Sequence, residues 1–260
     1  MQKRRLGKTN IEVSVVGLGT VKFGRNQGVK YPEAYTLPTD QEIESLLAKA
    51  KELGVNLLDT APAYGLSEER LGKILQCKRH DWIISTKVGE EFVNGESHFD
   101  FSPQAIQESV ERSLKRLRTD YLDVVLVHSN GDDQRLIEED HVFTTLAALK
   151  KDGKIRAYGM STKTIAGGLL TVDLADLVMV TFNPAYADER EVIAYAQQKQ
   201  KGVFIKKALA SGHLQQFVST NPVSDAMRFV FAEPGVTSVI VGTANPEHLQ
   251  MNVQSAVSAL

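Results

Sequence analysis

The sequence predicts an α/β protein of the closed (β/α)8 class, a TIM barrel, entered through a short N-terminal β-hairpin. Eight short apolar runs rich in β-branched residues recur along the 260 residues, and each is followed by a stretch of helical patterning. Runs that are apolar on both faces and joined by helical crossovers belong to a parallel sheet, and eight such units in about 250 residues is the size at which the sheet closes on itself. An open doubly wound sheet is the competing arrangement. It predicts a G-x-G-x-x-G turn after the first strand, whereas "GLGTVKFG" offers Gly17 and Gly19 with no third glycine in register.

The elements follow in order. "RRL" and "EVSVV" alternate and can pair as a hairpin through "GKTN". The eight runs are "VSVVGLG" (13–19), "VNLLD" (55–59), "WIISTK" (82–87), "LDVVLVH" (122–128), "IRAYGMS" (155–161), "LVMVTFN" (177–183), "GVFIKKA" (202–208) and "VTSVIVG" (236–242). Helix starts are signalled by Thr39-Asp40 before "EIESLLAKAKEL", by Ser67 before "EERLGKIL" and by Ser102-Pro103 before "QAIQESVERSLKRL". Further helices are expected over 141–151, 162–170, 188–201, 222–232 and 246–257, the last opening on Asn245-Pro246. The longest loops, 23–38 and 89–101, both come after strand ends, where a parallel barrel places its active site. No linker or low-complexity tract divides the chain, so residues 1–260 are expected to form one domain.

A formal net charge of −2, with no long Lys/Arg block, gives no electrostatic case for nucleic acid or an anionic membrane. The single Cys77 cannot form an internal disulfide, and Cys/His metal-ligand spacing is absent, so a metal-free fold in a reducing compartment is expected. "MQKRRLGKTNIEVS" has no apolar leader segment and no run is long enough to span a bilayer, which makes a cytoplasmic location the expectation.

Reactive side chains sit at the ends of the apolar runs: Asp59 closes the second, Lys87 the third, His128 the fourth and Ser161 the fifth, with Tyr64 just beyond Asp59. Any one of them could simply cap a turn. Four strands ending this way, in a fold whose strand ends converge on one mouth, is harder to explain so. A phenol is a poor acid at neutral pH, but a nearby ammonium favours the phenolate, and a carboxylate paired with that lysine holds it in place. A neutral histidine can orient a carbonyl oxygen beside the phenol. Such a set polarises and protonates a carbonyl, which is what hydride addition requires.

The stretches "LLDTAPAYGLSEERLGKIL", "ISTKVG", "SLKRLRTDYLDVVLVH" and "GKIRAYGMS" resemble the aldo-keto reductase superfamily, over roughly residues 4 to 257. The resemblance implies a (β/α)8 barrel that binds a nicotinamide dinucleotide in extended form. It also implies a catalytic tetrad: Tyr64 as general acid or base, Lys87 tuning it, Asp59 pairing with Lys87, and His128 orienting the substrate carbonyl. Reduction of aldehydes or ketones is the implied activity. A sugar or alcohol dehydrogenase running the same site in reverse, and a cofactor-binding regulatory or redox-sensing subunit, remain alternatives.

The resemblance places Gly19 and Thr20, Ser161 and Thr162, and Asn252 among cofactor-binding positions, with Thr162 standing where asparagine is commoner. Met179 falls where relatives bind the carboxamide through glutamine, and Asn183 follows it toward the mouth. Lys206 stands where a tyrosine usually stacks on the nicotinamide. Lys206 or Lys207 thereby becomes a candidate pyrophosphate ligand, together with backbone N–H groups of the turn containing Leu209, Ser211 and Gly212. At the last β/α junction Gly242, Thr243 and the helix start at Asn245 keep an anion-friendly terminus. Many NADPH-dependent relatives have lysine at the Gly242 position and arginine at His248; here only His248 could supply a charge, and Glu247 lies beside it. NADPH is the family default, and NADH remains open. Phe23, Tyr31, Tyr35, Phe92 and Phe101 are the candidate wall of a permissive substrate pocket for a small carbonyl compound. Oligomeric state is not legible.

Overall fold

The computed structural model describes residues 1–214, 217 and 219–260. A short antiparallel hairpin, β1 (Lys3–Arg5) and β2 (Glu12–Ser14), comes first. Eight strands then close into a parallel barrel: β3 (Val16–Gly19), β4 (Leu57–Asp59), β5 (Ile83–Val88), β8 (Leu122–His128), β9 (Ile155–Ser161), β10 (Leu177–Thr181), β11 (Gly202–Lys206) and β12 (Ser238–Gly242). The helices α2 (Asp40–Glu52), α3 (Ser67–Ile74), α4 (Pro103–Leu117), α6 (Val142–Lys151), α7 (Ile165–Leu174), α8 (Arg190–Lys199), α9 (Pro222–Phe231) and α10 (Pro246–Ser258) form the crossovers. The closed-barrel expectation holds, as does the N-terminal hairpin.

Two apolar layers hold the barrel. Side chains alternate along each strand, so Val125 and Val127 of β8 pack outward with Val178 and Val180 of β10 and Val203 and Ile205 of β11 against the helices. Val124, Leu126, Leu177, Met179 and Phe204 fill the interior, and Leu6, Ile11 and Val13 of the hairpin region join them. The hairpin packs against the start of β11: a Cβ on Gly202 would meet the Leu6 side chain at 2.3 Å. The hairpin therefore closes the N-terminal end of the strands and leaves the C-terminal end as the mouth.

Several local expectations are corrected. Residues 89–101 are no simple loop but carry a second hairpin, β6 (Glu90–Val93) and β7 (Glu96–Phe99), turned by Asn94 (φ 54°) and Gly95 (φ 90°). Asn-Gly between two short strands is the sequence signature of a turn with two left-handed residues. Segment 23–38 begins within one helical turn, α1 (Val21–Gly24), and a short helix, α5 (Asp133–Glu138), follows β8. The seventh helix starts later than expected because Thr162 still hydrogen-bonds across to β10, and Thr164 caps it instead. Thr39, Ser102 and Asn245 are genuine caps. Ser67 is not: it lies inside α3, and its hydroxyl donates toward Thr20 Oγ1 at 2.8 Å while accepting from Thr60 Oγ1 at 3.0 Å.

Candidate active site

Strand parity selects the site. The last inward-facing residues of the eight barrel strands are Gly19, Asp59, Lys87, His128, Ser161, Thr181, Lys206 and Gly242, and all eight line one cavity of about 1280 Å³. Register sets their heights. Gly19 pairs with both Asp59 and Gly242, His128 with Ser161, and Thr181 with Lys206, while Asp59 pairs with Ser85, one inward step below Lys87. The Lys87 side chain therefore reaches down and across to Asp59.

That pair is enclosed. Lys87 Nζ donates to Asp59 Oδ1 and Oδ2 at 2.9 and 2.8 Å and to the Thr60 carbonyl at 2.9 Å, and both side chains are almost fully buried. Ser85 Oγ adds a bond to Asp59 Oδ1 at 3.0 Å. Burial opposes the charge on Lys87, but Asp59 and the Tyr64 phenol outweigh it and leave the ammonium pKa above its ordinary value.

Tyr64 ends a helical turn at Pro62–Tyr64, and Lys87 Nζ lies 4.9 Å from its ring centre. The turn packs tightly on α1. A Cβ on Gly24 would fall 2.3 Å from the Tyr64 carbonyl oxygen, and one on Gly65 (φ +60°) would fall 2.3 Å from the Gly24 carbonyl, so neither position accepts a side chain. The Tyr64 hydroxyl is pushed above the ordinary phenol value by burial and by Asp59, with Lys87 pulling the other way. The result is a phenol that keeps its proton at neutral pH beside a cation that stabilises its anion. His128 stands edge-on to Tyr64, ring centres 6.4 Å apart at 87°. Burial, Lys87 and Lys206 hold its imidazole below the usual value, against the pull of Glu90.

The expected cofactor positions are distributed unevenly. Ser161, Thr162, Met179, Lys207, Leu209, Ser211, Gly212, Thr243, His248 and Asn252 line the cavity with Gly19, Lys206 and Gly242. Thr20 does not; it is fully buried, and its amide and hydroxyl donate to the Asp59 carbonyl at 2.9 and 3.0 Å, so it braces the strand end. Lys206 is turned inward. Its ammonium donates to Ser161 Oγ at 2.8 Å and the Thr162 carbonyl at 2.6 Å. Burial pulls its pKa down to about 7 despite the nearby Glu189 carboxylate. In the following turn the Ala210 and Gly212 amides donate to the Lys207 and Leu209 carbonyls, which takes two of the expected anion-facing N–H groups. Lys207 instead lies with Lys30 and Lys163, close enough that their charges, added to burial, lower its pKa.

The aromatic wall is mostly elsewhere. Tyr31 lines the cavity, beside Gly242. Phe23 is fully buried in the outer core, and Phe101 packs on Gly89 and stacks on Phe99. Phe92 lies under the Arg25 guanidinium at 3.4 Å, and the Tyr35 hydroxyl is tied to the Arg25 carbonyl. These four support the segment that frames the cavity and do not face it.

Sequence reasoning missed Glu90, Thr181, Glu189, Lys30 and Lys163, all on the cavity lining. Thr181 was reachable by counting in twos from Met179. Glu90 was reachable only once the Asn-Gly turn had folded the segment back. Among the described residues no group of three His, Cys, Asp or Glu is placed to hold a metal ion, and no helix is long and apolar enough to cross a membrane.

A parallel eight-stranded barrel with an Asp-Lys pair, a tyrosine and a histidine at its C-terminal mouth defines a class of oxidoreductase. Residues 15–225 match the Aldo/keto reductase family, and the chain belongs to that family. The crystal structure of PA4992 from Pseudomonas aeruginosa, described as a candidate aldo-keto reductase, superposes with a TM-score of 0.91 at 51% identity, covering 99% of this chain and 94% of that one. An uncharacterised oxidoreductase of Bacillus subtilis, YqkF, is 29% identical over 98% of this chain and 91% of its own length. L-Galactose dehydrogenase of Arabidopsis thaliana is 28% identical over 100% of this chain and 89% of its own.

Proposed function

We propose that the protein is an NAD(P)H-dependent oxidoreductase that reduces aldehyde or ketone carbonyls to alcohols, with Tyr64 as general acid. One observation carries this: Asp59, Lys87 and His128, from three neighbouring strands, meet Tyr64 at a single cavity. A nicotinamide bound there would supply the hydride for the carbonyl carbon. Tyr64 holds the proton destined for the carbonyl oxygen, and Lys87 stabilises the phenolate left when that proton moves. Asp59 keeps Lys87 charged and fixed. His128 faces the same oxygen and orients it.

The residues present suit a dinucleotide. From β9 to β12 the rim offers polar groups for a carboxamide at Ser161, a cationic group at Lys207, Lys30 and Lys163 for a pyrophosphate, and the capped start of α10 for the adenosine end. At the β12–α10 junction itself His248 is the only basic side chain near a 2′-phosphate position, with Glu247 next to it. NADPH is the default cofactor, and the preference over NADH is modest.

Reduction of 4-nitrobenzaldehyde with either cofactor tests the proposal. Turnover is expected with both, with a preference below about a thousandfold, or roughly 4 kcal/mol. Tyr64→Phe should lower kcat by about 10²–10⁴-fold while fluorescence titration still shows cofactor binding. Tight cofactor binding with no turnover over a broad panel of carbonyls would sink the enzymatic reading. The full-length similarity to L-galactose dehydrogenase supports a second reading, in which the same residues oxidise a sugar alcohol group. Comparing rates with NAD(P)+ and sugars against those with NAD(P)H and aldehydes separates the two.

A further inference from the structure

Gly89 (φ +96°) ends β5 and lets the chain turn so that Glu90, the first residue of β6, reaches back to the mouth. Glu90 Oε2 lies 2.6 Å from His128 Nδ1, and Glu90 Oε1 accepts from Ser97 Oγ at 2.6 Å. The carboxylate approaches off the N–H axis, so that Nδ1 makes a close ionic contact but has no hydrogen-bond partner among the described residues. The Glu90 side chain is 11% exposed, the His128 side chain 22%. Although burial opposes it, His128, Ser97 and the Arg25 charge bring the Glu90 carboxyl down to about 2, so at neutral pH it is an anion that can only accept. A bare ring nitrogen this close to the anion is repelled, and a nitrogen carrying a proton is attracted. The neutral imidazole has one proton to place, and the nitrogen that holds it decides what the other can do.

We propose that Glu90 is a positioning residue that locks the neutral His128 ring with its proton on Nδ1, so that Nε2 meets the substrate oxygen as an acceptor and becomes a donor only when the ring takes a second proton. The proposal rests on the carbonyl–alcohol chemistry assigned above and adds a direction to it. A carbonyl oxygen accepts hydrogen bonds and cannot donate, so it is matched to the imidazolium. An alcohol can donate, so it is matched to the neutral ring. During reduction the imidazolium keeps both protons: the Nε2–H holds the oxygen, hydride adds to carbon, and the proton that completes the alcohol comes from Tyr64. The charged and titratable groups facing His128 are Glu90 of β6, Lys87 of β5, Lys206 of β11 and Tyr64. Glu90 favours the imidazolium, while burial and the two lysines disfavour it, so the neutral ring dominates at neutral pH. Reduction then weakens as pH rises through the titration of His128, well before Tyr64 loses its proton.

Two measurements test this on the full chain. Long-range ¹⁵N–¹H spectra of the wild-type protein at about pH 8, with His128 assigned by comparison with His128→Asn, should show Nδ1 protonated and Nε2 bare. In Glu90→Met, which has similar length and no acceptor, the proton should redistribute toward Nε2. The kcat/KM for 4-nitrobenzaldehyde reduction should fall about tenfold per pH unit on the alkaline side of the His128 titration in wild type, and stay flat there in Glu90→Met. A wild-type ring protonated on Nε2, or identical pH profiles for the two proteins, would overturn the role of Glu90. A wild-type protein that reduces no carbonyl would refute the function instead, and the tautomer spectrum would still decide this inference.

Discussion

At the scale of single residues, the reactive groups at the strand ends, Asp59, Lys87 and His128, and Tyr64 just beyond Asp59 were legible, and the direction in which neighbouring side chains turn was not. Lys206 shows the difference. Its position suggested a nicotinamide cover or a phosphate ligand, but the folded chain aims it at Ser161 and the Thr162 carbonyl. The sign of its effect on stability follows from its pKa. The value falls from 10.5 to about 7 on folding, so between those pH values the folded protein binds fewer protons than the unfolded chain and stability rises with pH. Lys206→Met should remove that rise, seen as a smaller Tm difference between about pH 7 and pH 10 than wild type shows; equal differences would mean the ammonium is well solvated. The Asp59–Lys87 pair makes a second demand. Removing one partner of a buried ion pair typically costs about 3–5 kcal/mol. Asp59→Asn should therefore shift the urea midpoint strongly as well as abolish turnover, and an unchanged midpoint would show that Lys87 finds another partner.

At the scale of elements, helix and strand identity was readable and their ends were less so. Thr39 announced α2 correctly: its hydroxyl accepts from the Glu42 amide, and the Glu42 carboxylate accepts from the Thr39 amide. Thr39→Ala should cost about 1 kcal/mol through loss of this reciprocal cap, measurable by chemical denaturation with kcat unaffected. Ser67 carried the same kind of signal and was misleading, since its hydroxyl is drawn into the buried contact with Thr20 and Thr60 behind the Tyr64 turn. The hairpin β6–β7 had a local signal in Asn94-Gly95, yet its consequence, Glu90 beside His128, joins residues that no local pattern connects.

At the scale of the whole molecule, closing eight strands into a ring gathers the rim residues of distant segments around one cavity. Binding any ligand there should stabilise the entire barrel. With the dinucleotide at a hundred times its Kd, mass action adds about 2.7 kcal/mol, so NADPH and NADH should each raise Tm, and their ratio should track the modest preference expected from the β12–α10 junction. No shift with either nucleotide would remove the basis for the cofactor assignment.

The sequence by itself determined the barrel and the strand parity and put Asp59, Lys87 and His128 at strand ends, because a period of two, a helical period and a reactive side chain at a strand end are all local properties of the chain. Tertiary structure decided which carboxylate meets His128, which way Lys206 points and which aromatics face the cavity. Those outcomes depend on register and on loops folding back across the mouth. Both are set by packing between segments far apart in sequence, and "LLDTAPAYG" could fix Asp59 and Tyr64 without revealing Glu90.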